Sequence, residues 1–465
     1  MDVAGMPAYW AAMPLAQAVL EMLQYVADDG RLQSIFNKGR GRCYDSVIQF
    51  PGLVKLIGDA LLQYRGSGNQ SFSRAQESGE LTTSKVAAYG KLGRLPLAVS
   101  QVFLSDLSHS LRELFPAKAR RHSPGTLNAF NTVILDGKAI KKVAKRLKLL
   151  RRVGGGLLGG RALVAVHFET GLAIGMHADE DGDANDVRFV PELLPLVRGE
   201  ITGILLFLAD SGFCDLQRMA EFTEGGNHFL VRRHPKVGFH PDPARPARLG
   251  TDAQGRVFRE EWGWLGAANH PKRRYVRQIT LVRPGEPDVA IVTDLLDGDL
   301  HPARDLLAHY LQRWGIEQMF QKVTEVFYLQ SLIGGTPKAT VFQFAFCLLL
   351  YNVIQLVRGY IAAHQQRQAE TISIENLFLD VHRQLTAWSV LVEAGVPLDD
   401  IPVARNLTEM ANRLHALLSS QWSNRWIKAT NKKRRAHQPR PHDRTHGAVY
   451  RILRPATQKP DTQRR

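Results

Sequence analysis

At 465 residues, with 44% apolar and 22% charged side chains, the chain is too long for one ordinary core and too apolar for disorder over most of its length. Sixty Lys and Arg against 44 Asp and Glu leave a net charge of +16 and a pI near 9.9. An excess of this size argues for a polyanionic partner, because neutralising phosphates releases condensed counterions. Cys43, Cys214 and Cys347 stand far apart, which speaks against zinc fingers and disulfide frameworks and fits a reducing compartment. No basic segment leads into an uninterrupted apolar run near residue 1, so a signal peptide is not expected.

In chain order, residues 1 to about 125 show helical periodicity and are expected to form an α-helical, DNA-binding N-terminal region. Within it, Ser71–Leu97 reads as helix, turn, helix, with Gly79 in the turn and Thr82–Ser84 as N-cap hydroxyls. Lys85, Lys91 and Arg94 fall on the second helix, either facing DNA or solvated on a plain bundle.

From about 126 to 232 the pattern is that of an α/β core. Thr132–Leu135 is a short β-branched run ending at Asp136-Gly137. Arg161–Phe168 and Leu172–Met176 are two runs joined by the turn Glu169-Thr170-Gly171. Asp186–Val197 reads as a helix, and Gly203–Ala209 as a strand buried on both faces, ending at Asp210-Ser211-Gly212. Cys214–Thr223 reads as a helix and His228–Val231 as a strand. Three strands, helix, strand, helix, strand is the order of a ribonuclease-H-like core.

Residues 233–302 are rich in Pro, Gly and Arg, with strand-like runs at Tyr275–Val282 and Val289–Val292, and read as a β-rich insertion. The core resumes over 303–360 with a long helix predicted across roughly 303–326. The apolar run Val341–Val357, broken by Gln343, Asn352 and Gln355, is read as a buried helix and not a membrane span. C-terminal helices are expected over 361–430. Residues 431–465 carry eleven Lys and Arg against two Asp, with four prolines, and are predicted to be a disordered basic tail.

Phosphodiester chemistry at neutral pH is eased by metal ions held on carboxylates, and hard oxygen ligands at strand ends are its expected signature. Asp136 and Asp210 end two strands that would be parallel neighbours, so their carboxylates would meet. Tyr310, Arg313 and Glu317 share one helical face at spacings of three and four. Arg313 and Glu317 alone read equally as a solvated ion pair, but Leu311, Trp314 and Ile316 make the surroundings apolar.

Tyr310-x-x-Arg313-x-x-x-Glu317, with Phe320, Gly334-Gly335-Thr336 and Phe344–Val353, resembles the C-terminal signature of DDE-type insertion-sequence transposases of the insertion sequence four family, the branch with a Tyr-Arg-Glu-Lys motif. Ile134-Leu135-Asp136-Gly137 and Leu208-Ala209-Asp210-Ser211-Gly212-Phe213 are similar to its two upstream blocks, and Lys85–Leu104 to its N-terminal segment. The resemblance implies Asp136, Asp210 and Glu317 as catalytic metal ligands, two Mg²⁺ ions with Mn²⁺ able to substitute, and cutting and joining at element ends. It also implies double-stranded DNA partners, both terminal inverted repeats and target, and a homodimer holding paired ends. A prokaryotic, cytoplasmic protein that joins the nucleoid when bound to DNA is the corresponding expectation. The family's lysine position holds Thr324; Lys322 lies about 140° away from Glu317 around a helix.

Candidate DNA contacts are therefore Tyr310, Arg313 and Thr324, together with the basic stretch that follows Asp136: Lys138, Lys141, Lys142, Lys145 and Arg146. Trp262 and Trp264 are candidates for base stacking or, alternatively, for packing a small β unit. The acidic run Asp179–Asp186 lacks calcium-loop spacing and reads as a solvated loop; His234, His240 and His301 read as surface residues. The remaining alternatives are a ribonuclease-H-like nuclease without strand transfer and a catalytically silent DNA-binding derivative.

Overall fold

The computed structural model describes residues 12–45, 47–141, 156–394, 403–428 and 446–453. Helices come first: α1 (Pro14–Val26), α2 (Asp29–Gly39), α3 (Phe50–Leu62), α4 (Gly68–Glu77), α5 (Lys85–Arg94) and α6 (Leu97–Glu113). Asp28, Ser67 and Ser84 cap α2, α4 and α5 by accepting from the backbone N–H three residues on. The pair α4 and α5 is the expected helix-turn-helix, but its lysines are engaged. Lys91 is buried, ion-paired to Asp45 at 2.7 Å, and lies 4.6 Å above the Phe36 ring. Lys85 donates to Asn69 and Ser73. Arg94 alone of the three is exposed.

The core strands are β1 (Asn131–Lys141), β2 (Gly156–His167), β3 (Leu172–Asp179), β4 (Leu205–Ala209) and β5 (His228–Arg232), with α7 (Val190–Glu200) and the short α8 (Met219–Phe222) between them. β1, β2 and β3 pair antiparallel; β1, β4 and β5 pair parallel. The order β3-β2-β1-β4-β5 is ribonuclease-H-like. The α8 region is shorter than the sequence pattern suggests, because Ser211–Phe213 makes a 3₁₀ turn ahead of it.

The strands β6 (Phe239–Pro241), β7 (Arg248–Thr251), β8 (Val257–Leu265), β9 (Arg274–Leu281) and β10 (Val289–Thr293) do not stand apart as a separate unit. β10 pairs antiparallel with β5, so core and insertion share one continuous sheet. His301 is buried under this region against Phe130, not at the surface, because its carbonyl is needed by the buried Arg277.

The long predicted helix breaks into α9 (Ala303–Leu311) and α10 (Trp314–Glu325). Around the break, Arg313, Gly315 and Ile316 donate to Tyr310, Gln312 and Arg313, each three residues back, at 3.0 Å. This 3₁₀ tightening falls where Gly315 weakens helix propensity.

α11 (Pro337–His364) starts at the Thr336 cap and is buried over nearly all its length; it is long and apolar enough to cross a membrane, yet lies wholly inside the fold. Its polar interruptions are its anchors. Gln343 accepts from Ile333 N–H, and Asn352 bonds both backbone groups of Ala173 in β3 as well as Ser108 in α6. α11 thereby joins the N-terminal helices to one sheet face in a single hydrophobic core, while α7 and α8 cover the other face.

α12 (Ile374–Glu393) and α13 (Leu407–Leu418) follow. Within the predicted disordered tail, residues 446–453 are ordered: β11 (His446–Ala448) pairs parallel with Gly156–Leu158 of β2, and α14 (Val449–Leu453) follows. Arg451 bridges Asp181 and Asp183, so the acidic run after β3 is ion-paired and not merely solvated; Arg188 and Arg161 bind its Asp179 and Asp186. Opposite charge here supplies the order that composition did not suggest.

Candidate active site

Leu135 of β1 is level with Ala209, the last residue of β4. The next residue along each strand is Asp136 and Asp210, so the two carboxylates emerge side by side. Asp210 keeps an extended backbone (φ −77°, ψ 175°), which preserves strand alternation. Both therefore point to the face that buries Ile134 and Leu208, under α10. The sequence placed Asp136 at a strand end; β1 instead runs on to Lys141 because β2 continues to pair with it after β4 stops. What ends at Asp136 is the parallel part of the sheet.

Glu317 lies in the first turn of α10, where the helix dipole favours negative charge. Arg313, with 4% exposure, sits among the three carboxylates: Nη2 donates to Glu317 Oε1 at 2.9 Å, and Nη1 is 3.9 Å from Asp136 Oδ2. Burial pushes the Asp136 carboxyl up to about 6; Arg313 and the Gly137 N–H oppose the shift, while Glu317 and Asp210 add to it. Tyr310 is buried beside this cluster, and burial pushes its phenol up to about 12. Four buried polar atoms here lack any hydrogen-bond partner: Asp210 Oδ1, Tyr310 Oη, and Arg313 Nε and Nη1. Such atoms are uncommon and mark a place where something else is expected to bind.

For a divalent cation, the donor chemistry fits: hard carboxylate oxygens, two of them juxtaposed by strand register, and an unpartnered oxygen on Asp210. Glu317, however, is taken up by Arg313. Among the described residues no three His, Cys, Asp or Glu side chains stand together in a group able to hold a metal ion. Asp136 and Asp210 are the residues that could hold such an ion, and Glu317 could join them only on leaving the guanidinium.

Of the other candidates, Lys138 lies two residues beyond Asp136, its ammonium 5.6 Å from the Phe320 ring centre. Thr324 donates its hydroxyl to the Phe320 carbonyl at 2.7 Å, and Lys322 pairs with Glu375. Lys141 closes β1, while Lys142, Lys145 and Arg146 lie outside the described residues. Trp262 is buried, donating to the Leu296 carbonyl at 2.8 Å with Arg245 stacked on it. Trp264 is 38% exposed, with Arg273 3.9 Å from its ring centre and Tyr275 edge-on. The two tryptophans thus separate into a packing residue and a surface one. Sequence reasoning passed over Arg232, which closes β5 level with Asp210; comparing where adjacent strands end would have found it.

The model of the family described as the transposase DDE domain matches residues 133–353. Among solved structures, the chain is similar to a cryo-EM structure of a piggyBac transposase synaptic complex with hairpin DNA, at 11% identity and a TM-score of 0.32, covering 89% of this chain and 78% of that one. No curated protein matches. The strand order carries the fold assignment independently of that structural likeness. The matched stretch opens in β1 and closes in α11, so it contains Asp136, Asp210 and Glu317 together with the sheet and helix that present them. Over residues 133–353, therefore, the chain is similar to the transposase DDE domain.

Proposed function

We propose that this chain cuts DNA at the ends of a mobile element and joins the freed 3′-hydroxyls to target DNA, with Asp136, Asp210 and Glu317 as one catalytic unit. The observation that carries the reading is the strand register that sets Asp136 beside Asp210 under the helix of Glu317, inside the matched domain. Asp136 and Asp210, joined by Glu317, would hold Mg²⁺, with Mn²⁺ able to replace it; a bound divalent cation lowers the pKa of an attacking hydroxyl and absorbs charge on a leaving oxygen. Arg313 keeps the carboxylates neutralised before the cation enters and is then free to face a phosphate. Tyr310 holds its proton across the physiological range and can donate it as a hydrogen bond. The DNA-facing form is a homodimer on paired ends, with terminal inverted repeats and target DNA as partners.

The test uses purified protein, duplex DNA bearing the inverted repeats that flank the gene, and magnesium, scoring nicked and joined products. Asp136→Asn, Asp210→Asn and Glu317→Gln should each lower both products by roughly 10³-fold or more, while DNA binding persists or tightens as phosphate repulsion is reduced. Double replacements should cost little beyond single ones, since residues acting as a unit are non-additive. Normal cleavage by Asp210→Asn or Glu317→Gln would sink the assignment. The Thr324 hydroxyl, already bonded within its own helix, favours one competing reading: a DNA-binding derivative that no longer cuts. Metal-dependent nicking by the unaltered chain rules that out, and joining of a pre-cut end rules out a nuclease without strand transfer.

A further inference from the structure

Two core strands, β4 and β5, end in one row, beside the point where the parallel pairing of β1 stops. β1 and β4 are in register at Leu135 and Ala209, and β4 and β5 at Ala209 and Val231. The next position on each strand holds Asp136, Asp210 and Arg232. Leu230, two residues before Arg232, packs in the same core as Ile134 and Leu208, so alternation points all three side chains to one face. Arg232 is partly exposed. Among the described residues its side chain makes no hydrogen bond and no ion pair, whereas Arg313 is bound to Glu317 and leans on Asp136. Its charge is felt at the buried Tyr310 hydroxyl, which also has no hydrogen-bond partner.

We infer that Arg232 is a phosphate-binding residue of this site, its guanidinium taking the non-bridging oxygens of the DNA phosphate seated beside Asp210. The inference rests on the DNA-cutting reading above. A site built of three carboxylates repels the polyanion it must hold, and an uncommitted cation in the same row offsets that repulsion. Arg313 is committed to Glu317 and Asp136 until the divalent cation enters, so Arg232 is the guanidinium in this row that is free from the start. A guanidinium offers two parallel donors that match two phosphate oxygens and so fixes the phosphate's orientation as well as its position.

The experiment compares the unaltered chain with Arg232→Gln and Arg232→Lys on repeat-end duplexes carrying one stereodefined phosphorothioate at the scissile phosphate or at either neighbour. Manganese replaces magnesium, because a softer cation tolerates sulfur and leaves the penalty at the arginine contact visible. The unaltered chain should be slowed by sulfur at one oxygen of one phosphate. Arg232→Gln should cleave all-oxygen DNA roughly tenfold more slowly or worse and lose that sulfur penalty, with Arg232→Lys intermediate in both. An arginine that merely supports the fold would lower the rate and leave the penalty in place, which overturns the inference, as does cleavage by Arg232→Gln at the unaltered rate. If Arg232→Gln does not fold, an undiminished sulfur penalty in Arg232→Lys overturns it equally. Failure of the unaltered chain to cut any of these duplexes overturns the DNA-cutting reading itself, and the inference with it.

Discussion

Two buried arginines, Arg277 and Arg313, sit in the same sheet-and-helix body under very different terms. Arg277 is fully enclosed, donating to Glu260 at 2.6 Å and to the carbonyls of His301 and Leu295 at 2.7 and 3.3 Å, with only Nη2 left unpartnered. Arg313 keeps one good bond, to Glu317, and leaves Nε and Nη1 without acceptors beside an unpartnered Asp210 oxygen and Tyr310 hydroxyl. The fold can satisfy a buried guanidinium by bending loops around it, as it does at Arg277. Where it does not, at the point where β1 and β4 stop pairing, the unmet hydrogen bonds point to chemistry and not to architecture.

The comparison breaks most sharply under truncation. Arg277→Met should destabilise the protein by about 3–5 kcal/mol, because Glu260 is left buried and alone. Added magnesium should not repair it, as read by thermal denaturation. Arg313→Met should also lose stability in metal-free buffer at neutral pH, since three carboxylates lose their counter-charge, but magnesium or mild acid should restore it. Cleavage should stay roughly 10²-fold low even so. Equal behaviour of the two variants towards magnesium would erase the distinction drawn here.

A smaller effect is expected at Asp136. Its carboxyl is raised from 3.8 to about 6, so folding favours the protonated form; that stabilisation is complete below pH about 4 and is lost as pH rises through about 6. Asp136→Asn should therefore be more stable than the unaltered metal-free chain at pH 7.5, by about 1–3 kcal/mol. The gain should vanish below pH 4, which melting curves across that range will show. The smallest effect is at the signature position: Thr324→Lys should tighten end binding about threefold through a charged phosphate contact. Lys322→Ala should lose only the Glu375 pair and leave DNA affinity unchanged.

The row of carboxylates was legible because each ends an apolar run, and a buried parallel pair has little freedom of register. Helical spacing also found Glu317 and its arginine. The break between α9 and α10 was not legible, since Gly315 is a weak signal against a strong apolar stripe. Lys91 and His301 were misjudged for one reason: residue type predicts exposure only until a specific partner, Asp45 for one and Arg277 for the other, draws the group inside. The strand at His446–Ala448 hides in a segment whose composition reads as disordered, because its order comes from an open edge of β2 and from acids some 270 residues earlier in the chain. Arg232 was overlooked because a lone strand-ending arginine carries no motif; it acquires meaning only from its neighbours across the sheet.

The long helix α11 has a consequence for synthesis. Phe50 and Phe103, from the first helical layer, pack on Phe342 and Phe346, and Ser108 reaches its partner only at Asn352. A nascent chain that has emerged as far as α6 therefore has no completed core to enter, and the apolar faces of its first helices stay uncovered until more than 200 further residues are made. Non-local closure of this kind makes folding slow and favours help from chaperones that shield apolar surface. It also means that the carboxylates of β1 and β4 stand open on one side until α10 has been made, well after both strands.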